Sequence, residues 1–314
     1  MIKDLIKKLN KENIEFEDVN FLAGDASERK YFLIQQGKQT NVLMFDTDKQ
    51  NLAKFLKISK FLKDYVCIPT IIGNFKDSGI LILENFNRTK FSEILSKSNQ
   101  RKLYKIAVDA LVNVHRNIVH KNIPRYTTKI FFEESNLFFE WYLKIPKQKS
   151  NEIKIQFNSV FKDYLKKAFL VPDVFIHRDY HVDNLFFLKN KTNHYRCGWI
   201  DYQDALVGPC TYDLMSLTQD ARVDVDSKLE NFIVNYYLKK FENLNKEDFF
   251  FSYSVLAIQR HLKVLGIFSR LSVRDKKNKY LDHIPRVLRM LESNLKAKKF
   301  LPLYQILKYS MDLK

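Results

Sequence analysis

Cysteine, glycine and proline are all scarce in this sequence. The three cysteines, Cys67, Cys197 and Cys210, are odd in number and form no CxxC pair, which excludes a disulfide framework and a zinc knuckle. They fit as small hydrophobes in a reducing compartment. With only 7 glycines and 7 prolines, no Pro/Gly-rich linker interrupts the chain, and no repeat or low-complexity tract stands out. Long apolar runs are missing too. Each is broken by Lys, Asp or Asn, so no segment is expected to cross a bilayer. The start, Met1-Ile2-Lys3-Asp4-Leu5, leads into an amphipathic pattern with acidic side chains rather than a signal-peptide core. A cytoplasmic location is the default expectation.

What is present favours a folded protein. Hydrophobic residues make up 46% of the 314 and aromatics 14%, enough for a core and against disorder. That length holds one large domain or two lobes sharing a cleft. Lys plus Arg outnumber Asp plus Glu by 53 to 36, a net charge of +17. Such an excess can serve nucleic acid, but here the lysines are scattered, as at Lys7-Lys8, Lys144, Lys166-Lys167 and Lys239-Lys240. Compositional bias is the better reading, and neither a nucleic acid nor a membrane is expected as partner. A positive field would draw in a nucleotide or an anionic sugar without identifying either.

The pattern divides the chain. A short helix over 1–13 is followed by β-leaning segments at 16–22, 30–35 and 41–45. A helix over 49–63 gathers Leu52, Phe55, Leu56, Ser59 and Leu62 on one face. Strands at 70–74 and 80–84 flank Lys76-Asp77-Ser78-Gly79, a hairpin turn by its chemistry. Helices are expected at 99–120, 130–143 and 152–169, short strands at 174–178, 184–188 and 196–201, and mostly helices from 211 on. The expected fold class is α+β, with a small antiparallel β-rich N-lobe over 1–84 and a larger, mainly helical C-lobe over 85–314. Ligands usually lie in the cleft at such a connector.

Chemistry concentrates in Phe175-Ile176-His177-Arg178-Asp179-Tyr180-His181-Val182-Asp183-Asn184. His-Arg-Asp followed by Asn five positions after the Asp is the spacing of a kinase catalytic loop. Asp179 must reach an acceptor hydroxyl, while Asn184 points an amide oxygen at a metal on the phosphates. Seventeen residues later an apolar strand ends in Trp199-Ile200-Asp201-Tyr202-Gln203-Asp204, where Asp201 is expected as second ligand to magnesium. Each piece alone is weak. His177 and His181 could suggest zinc, but no Glu follows His177 as a metalloprotease helix requires. In this order and separation the pieces point to phosphoryl transfer.

With Gly208-Pro209-Cys210-Thr211-Tyr212-Asp213-Leu214, these motifs resemble the aminoglycoside phosphotransferase and choline kinase superfamily, with its protein-kinase-like two-lobed fold. Asp213 follows Asp201 by only twelve residues, too few for the activation segment of a regulated protein kinase, which disfavours a protein substrate. A narrower likeness spans residues about 20 to 304. Gly24-Asp25-Ala26-Ser27 is similar to the loop of bacterial cell-wall amino-sugar kinases acting on the anomeric hydroxyl of N-acetylmuramate and N-acetylglucosamine. Ile200-Asp201-Tyr202-Gln203-Asp204-Ala205, the stretch from Gln259 to Leu271, and Tyr280-Leu281-Asp282-His283-Ile284-Pro285-Arg286 also resemble theirs.

The resemblance implies ATP and Mg2+ as cofactors and a sugar as acceptor. Asp179 would be the catalytic base or hydroxyl-positioning residue, and Asn184 and Asp201 would hold magnesium. Asp213, with His177, would support the loop. Gly24, Asp25 and Ser27 would cover the phosphates, and Glu84 would start the connector beside the adenine. His181, Asp183 and Gln203 lie near enough to the motif to meet acceptor hydroxyls. Arg260, with His261, Lys263 and Arg270, reads either as a solvated basic face or as a group over the sugar or its carboxyl.

Two departures from the general kinase pattern remain. The phosphate loop has one glycine, and Asn41-Val42-Leu43-Met44-Phe45-Asp46 lacks the usual strand lysine. Helix 49–63 has no Glu to pair with one. Arg29 or Lys30 would supply the missing charge, or each is a solvated strand residue. Alternatives are the same chemistry on an aminoglycoside, an amino alcohol or another sugar, or a non-catalytic nucleotide-binding protein. A monomer is expected.

Overall fold

The computed structural model describes residues 2–24, 29–87, 89–118 and 122–311. In chain order, α1 (Ile2–Lys11), β1 (Asp18–Gly24), β2 (Lys30–Gln36), β3 (Gln39–Phe45) and α2 (Lys49–Leu62) precede β4 (Ile71–Phe75) and β5 (Ile80–Leu83). Next come α3 (Phe91–Ile94), α4 (Gln100–Asn117), α5 (Thr128–Leu137) and α6 (Lys147–Ala168). Then β6 (Asp173–Ile176), β7 (Leu185–Phe187), β8 (Cys197–Trp199) and β9 (Leu206–Pro209) lead into α7 (Thr211–Thr218) and α8 (Ser227–Leu238). The chain ends with α9 (Lys246–Asp275), α10 (Ile284–Leu295) and α11 (Leu301–Met311). Among the described residues no helix is long and apolar enough to cross a membrane.

Two compact units result. One comprises Met1–Ile94 with Asp183–Asp204, the other Leu95–Val182 with Ala205–Lys314. This division differs from a boundary at 84/85, because Asp183–Asp204 joins α2 and the segments at Cys67 and Thr89. The Trp199 N–H donates to the Cys67 carbonyl oxygen and the Phe187 N–H to that of Thr89, both at 2.8 Å.

The first unit is built on an antiparallel sheet of order β1-β2-β3-β5-β4. Side chains alternate across it, so Phe32, Ile34, Leu43, Ile80 and Ile82 share one buried cluster with Leu5 and Leu9 of α1. Each such side chain contributes roughly 1.5–3 kcal/mol relative to exposure. Gly79 turns the chain into β5 at φ 80°, where a Cβ would stand 2.5 Å from the Asp46 carbonyl oxygen, so only glycine fits. Asp48 caps α2 by accepting the Gln50 N–H at 2.8 Å. The buried face of α2 takes Leu52, Phe55, Ile58, Ser59 and Leu62. Ile58 thus replaces the expected Leu56, which stays half-buried. Phe55 stacks on Tyr202 with ring centroids 5.1 Å apart, and the Ser59 and Tyr202 hydroxyls lie 3.0 Å apart.

The second unit is helical and organised around α9, which contacts α5, α6, α7 and α10. Asn245 caps it, accepting the N–H groups of Glu247 and Asp248 at 2.9 and 3.1 Å. Its middle is buried even at polar positions: Gln259, Arg260, His261 and Lys263. The expected solvated basic face is therefore absent at these positions. The pair β6–β9, in register from Asp173↔Pro209 to Ile176↔Leu206, delivers the chain to His177. The sequence reading had no strand at 206–209.

Candidate active site

Of the residues singled out in the sequence, the second unit carries His177, Asp179, His181, Asp213 and Arg260. Where β6 ends, the chain turns over the Asp213 side chain. The His177 N–H donates to Asp213 Oδ2 at 2.5 Å and the Arg178 N–H to Oδ1 at 3.0 Å. Asp213 is wholly buried, and that burial pushes its carboxyl up to about 7, against the opposing pull of these two N–H groups and of Arg260. The Asp179 N–H donates to His177 Nδ1 at 3.3 Å, and the Tyr180 hydroxyl to the Ala107 carbonyl of α4 at 2.8 Å. The loop is thereby tied at both ends: the Val182 N–H donates to Asp220 Oδ2 at 3.3 Å.

The Asp179 side chain is 44% exposed. Burial alone would raise its carboxyl, but Lys263, Arg260, His181 and Arg178 outweigh burial and hold it far below the usual carboxylate range. Arg260 Nη2 stands 3.7 Å from Asp179 Oδ1, while Nη1 donates to the Arg178 carbonyl oxygen at 2.9 Å. Arg260 thus contacts the loop itself, and its Nη1 also reaches the Tyr212 hydroxyl of α7 at 3.4 Å. Burial and nearby Arg222 push His181 well below its ordinary value, so its imidazole is neutral at physiological pH.

The first unit carries the expected metal ligands, Asn184 and Asp201. Asn184 closes a single turn and opens β7, which pairs with β8 through Leu185↔Trp199. The Ile200 N–H donates to the Asn184 carbonyl at 3.1 Å, so Asn184 and Asp201 occupy adjacent strand ends. Asp201 holds φ 61°, a left-handed conformation that Asp tolerates better than most residues. Gln203 Nε2 donates to Asp201 Oδ1 at 2.8 Å, so the amide expected on an acceptor is engaged with the expected metal ligand. Asp183 is half-buried beside them. Asn184 and Asp201 offer hard oxygens from one carboxylate and one amide. Among the described residues no group of three or more His, Cys, Asp or Glu could hold a metal. Such a low-count oxygen pair fits magnesium completed by water and phosphate.

On the nucleotide side, Gly24 ends β1 and is exposed, while Asp25 and Ser27 lie outside the described residues. Arg29 is buried, with Nε 3.1 Å from Asp46 Oδ2. This Arg29–Asp46 pair joins the start of β2 to the end of β3, on the strand that lacks a lysine. Burial and the charge of Asp201 push the Tyr31 phenol up to about 12, partly offset by Arg29. The Glu84 carboxylate accepts the Thr70 N–H and hydroxyl at 3.1 and 2.7 Å, closing the edge of β4 and β5.

One group escaped sequence reading. Glu134, on α5, is only 12% exposed and accepts Lys263 Nζ at 2.9 Å and Gln259 Nε2 at 3.3 Å. It also pairs with the Arg178 guanidinium and accepts the Tyr126 hydroxyl. The signal was an acid at helical spacing between Phe131 and Phe138, both fully buried.

Known proteins resemble this chain in sequence and in fold. Residues 18–249 match the model of the phosphotransferase enzyme family, APH. The chain is 31% identical over 310 residues to an N-acetylmuramate/N-acetylglucosamine kinase of Neisseria meningitidis, covering 92% of this chain and 90% of that protein. It is 32% identical over 281 residues to a kinase of the same name from Pseudomonas aeruginosa, covering 86% and 82%. Among solved structures, choline kinase LicA from Streptococcus pneumoniae superposes with a TM-score of 0.67 at 14% identity over 93% and 99% of the two chains. An ADP-bound aminoglycoside phosphotransferase superposes with a TM-score of 0.62 at 16% identity over 95% and 98%. These likenesses carry the protein-kinase-like fold, with a β-sheet N-terminal part and a helical C-terminal part. By the match to the family and by relatives this similar over most of its length, the chain belongs to the phosphotransferase enzyme family.

Proposed function

We propose that this protein is an ATP- and magnesium-dependent kinase of the anomeric hydroxyl of an N-acetylated amino sugar, acting in the cytoplasm in the recycling of cell-wall sugars. The observation that carries the reading is its similarity, over nearly the whole chain, to kinases named for N-acetylmuramate and N-acetylglucosamine. The catalytic-loop geometry supports it.

In this reading Asp179 receives the acceptor hydroxyl. Its carboxyl, held low by Lys263 and Arg260, is fully ionised at neutral pH and a weak base. Weak basicity suffices, because in a loose phosphoryl-transfer transition state the proton leaves late and orientation matters more. Asn184 and Asp201 hold magnesium, which supplies charge neutralisation on the phosphates. Gln203 fixes the orientation of Asp201, and His181 and Asp183 face the acceptor. Gly24, Asp25, Ser27, Arg29 and Glu84 serve the nucleotide, with Arg29–Asp46 in place of the usual lysine pair. His177 and Asp213 support the loop, and Arg260 acts on the acceptor through Asp179. The functional division is a nucleotide lobe over 1–84 and a catalytic lobe over 85–314, working as a monomer.

The test is ADP release with Mg-ATP and a panel of N-acetylmuramate, N-acetylglucosamine, an aminoglycoside and choline, with Asp179→Asn as background. Turnover on the two amino sugars alone is expected. Turnover confined to another acceptor overturns the substrate assignment, and none on any acceptor overturns the kinase assignment.

A further inference from the structure

We infer that Glu134 is a positioning residue for the transfer reaction, a carboxylate that ties the catalytic loop to α5 and α9 and so sets the place of Asp179. The inference rests on the kinase reading above. Four donors converge on this one largely buried carboxylate: the Arg178 guanidinium, Lys263 Nζ, Gln259 Nε2 and the Tyr126 hydroxyl. They come from three separate parts of the second unit: the catalytic loop, α9, and the segment before α5.

Backbone geometry gives an independent reason. Arg178 sits between His177 and Asp179 at φ 74°, a conformation at which only glycine is at ease. An arginine there has to be held by its side chain. Its guanidinium meets Glu134 and lies over the Tyr126 ring at 5.3 Å, while its N–H and carbonyl are bound by Asp213 and Arg260. All three handles of the residue preceding Asp179 are therefore fixed.

Charge points the same way. Arg178, Arg260 and Lys263 all act on the Asp179 carboxylate, and two of them pair with Glu134. Glu134 balances two of them, so that they brace the loop instead of repelling one another. Burial alone would raise the Glu134 carboxyl, yet Lys263 and Arg178 hold it below its ordinary value, so it carries its charge. The distance is set by a close helix approach one turn on. A Cβ on Gly266 of α9 would stand 2.3 Å from the Leu137 carbonyl carbon of α5, so glycine lets Lys263 reach Glu134.

The experiment compares Glu134→Gln, Arg178→Gly and the double variant with the wild type, by steady-state kinetics and by hydrogen exchange of a peptide covering 177–182. Arg178→Gly relieves the positive φ, which offsets part of the loss of its ion pair, and its melting temperature checks that it folds. A purely structural role leaves its kcat and the loop's exchange unchanged. Positioning lowers kcat by about 100-fold in either single variant, with KM for ATP within about twofold and faster exchange confined to the loop. The double variant then falls no further than the worse single one. Unchanged loop exchange in both single variants overturns the inference, as does a double variant whose loss is the product of the two. If the wild type turns over no acceptor, the kinase reading fails instead, and the exchange comparison still decides the role of Glu134.

Discussion

Arg260 binds the catalytic loop twice: Nη1 donates to the Arg178 carbonyl oxygen at 2.9 Å, and Nη2 stands 3.7 Å from Asp179 Oδ1. One side chain on α9 thus binds the backbone before Asp179 and, after Lys263, adds to the positive field on its carboxylate. In Arg260→Leu, kcat is expected to fall about 10- to 100-fold, with KM for ATP little changed. With one of the cations that depress Asp179 removed, its carboxyl rises toward the usual range. The acid limb of the kcat–pH profile should then move to higher pH. An unmoved acid limb would separate Arg260 from Asp179.

Asp213 accepts two backbone N–H groups, one on each carboxylate oxygen. In Asp213→Asn one carboxylate oxygen becomes a donor that faces a backbone N–H. Stability should drop by about 1–3 kcal/mol, read as the midpoint shift in urea unfolding, with a larger fractional loss of activity than of stability.

His261 is buried on α9, and burial together with Arg260 pushes its imidazole down to about 3. The unfolded chain takes up this proton near 6.5 while the folded one does not. Its contribution to stability is therefore present above pH 6.5 and lost as the pH falls toward 3. His261→Leu should flatten the loss of melting temperature over that window. An identical pH dependence in the variant would contradict the assignment.

Much of this was legible in the sequence, and the limits have physical causes. The alternation in β2 and β3 and the apolar period of α4 follow from one-sided burial, so their places could be read directly. β9 could not, because Leu206–Pro209 is buried on both faces and only four residues long, with Gly and Pro at its end. In the site, Asp179, Asn184 and Asp201 stood out because their spacing is local. Glu134 did not, since its charged partners are 44 and 129 residues away in the chain. The basic residues of α9 were ambiguous for the same reason: nothing in the spacing of Arg260 and Lys263 reveals a buried acid on α5.

Gly266 marks a close approach of α9 to α5. Gly266→Ala places a methyl against the Leu137 backbone, and the helices must part. A loss of about 1–3 kcal/mol is expected, with a matching fall in melting temperature. A variant as stable as the wild type would mean that the helices can separate freely.

Gln203 bonds Asp201 Oδ1 at 2.8 Å. If Asp201 holds the metal, Gln203→Leu loosens its orientation and raises the Mg2+ concentration for half-maximal activity about 10-fold, leaving saturated kcat closer to normal. Titration of activity with Mg2+ reads this directly.

The most direct measurement is phosphorus and proton NMR of the product formed from Mg-ATP and N-acetylglucosamine. A sugar phosphate whose anomeric proton is coupled to phosphorus, absent with Asp179→Asn, is the expected result. Phosphate on another carbon of the sugar, or inorganic phosphate alone, would contradict transfer to the anomeric hydroxyl.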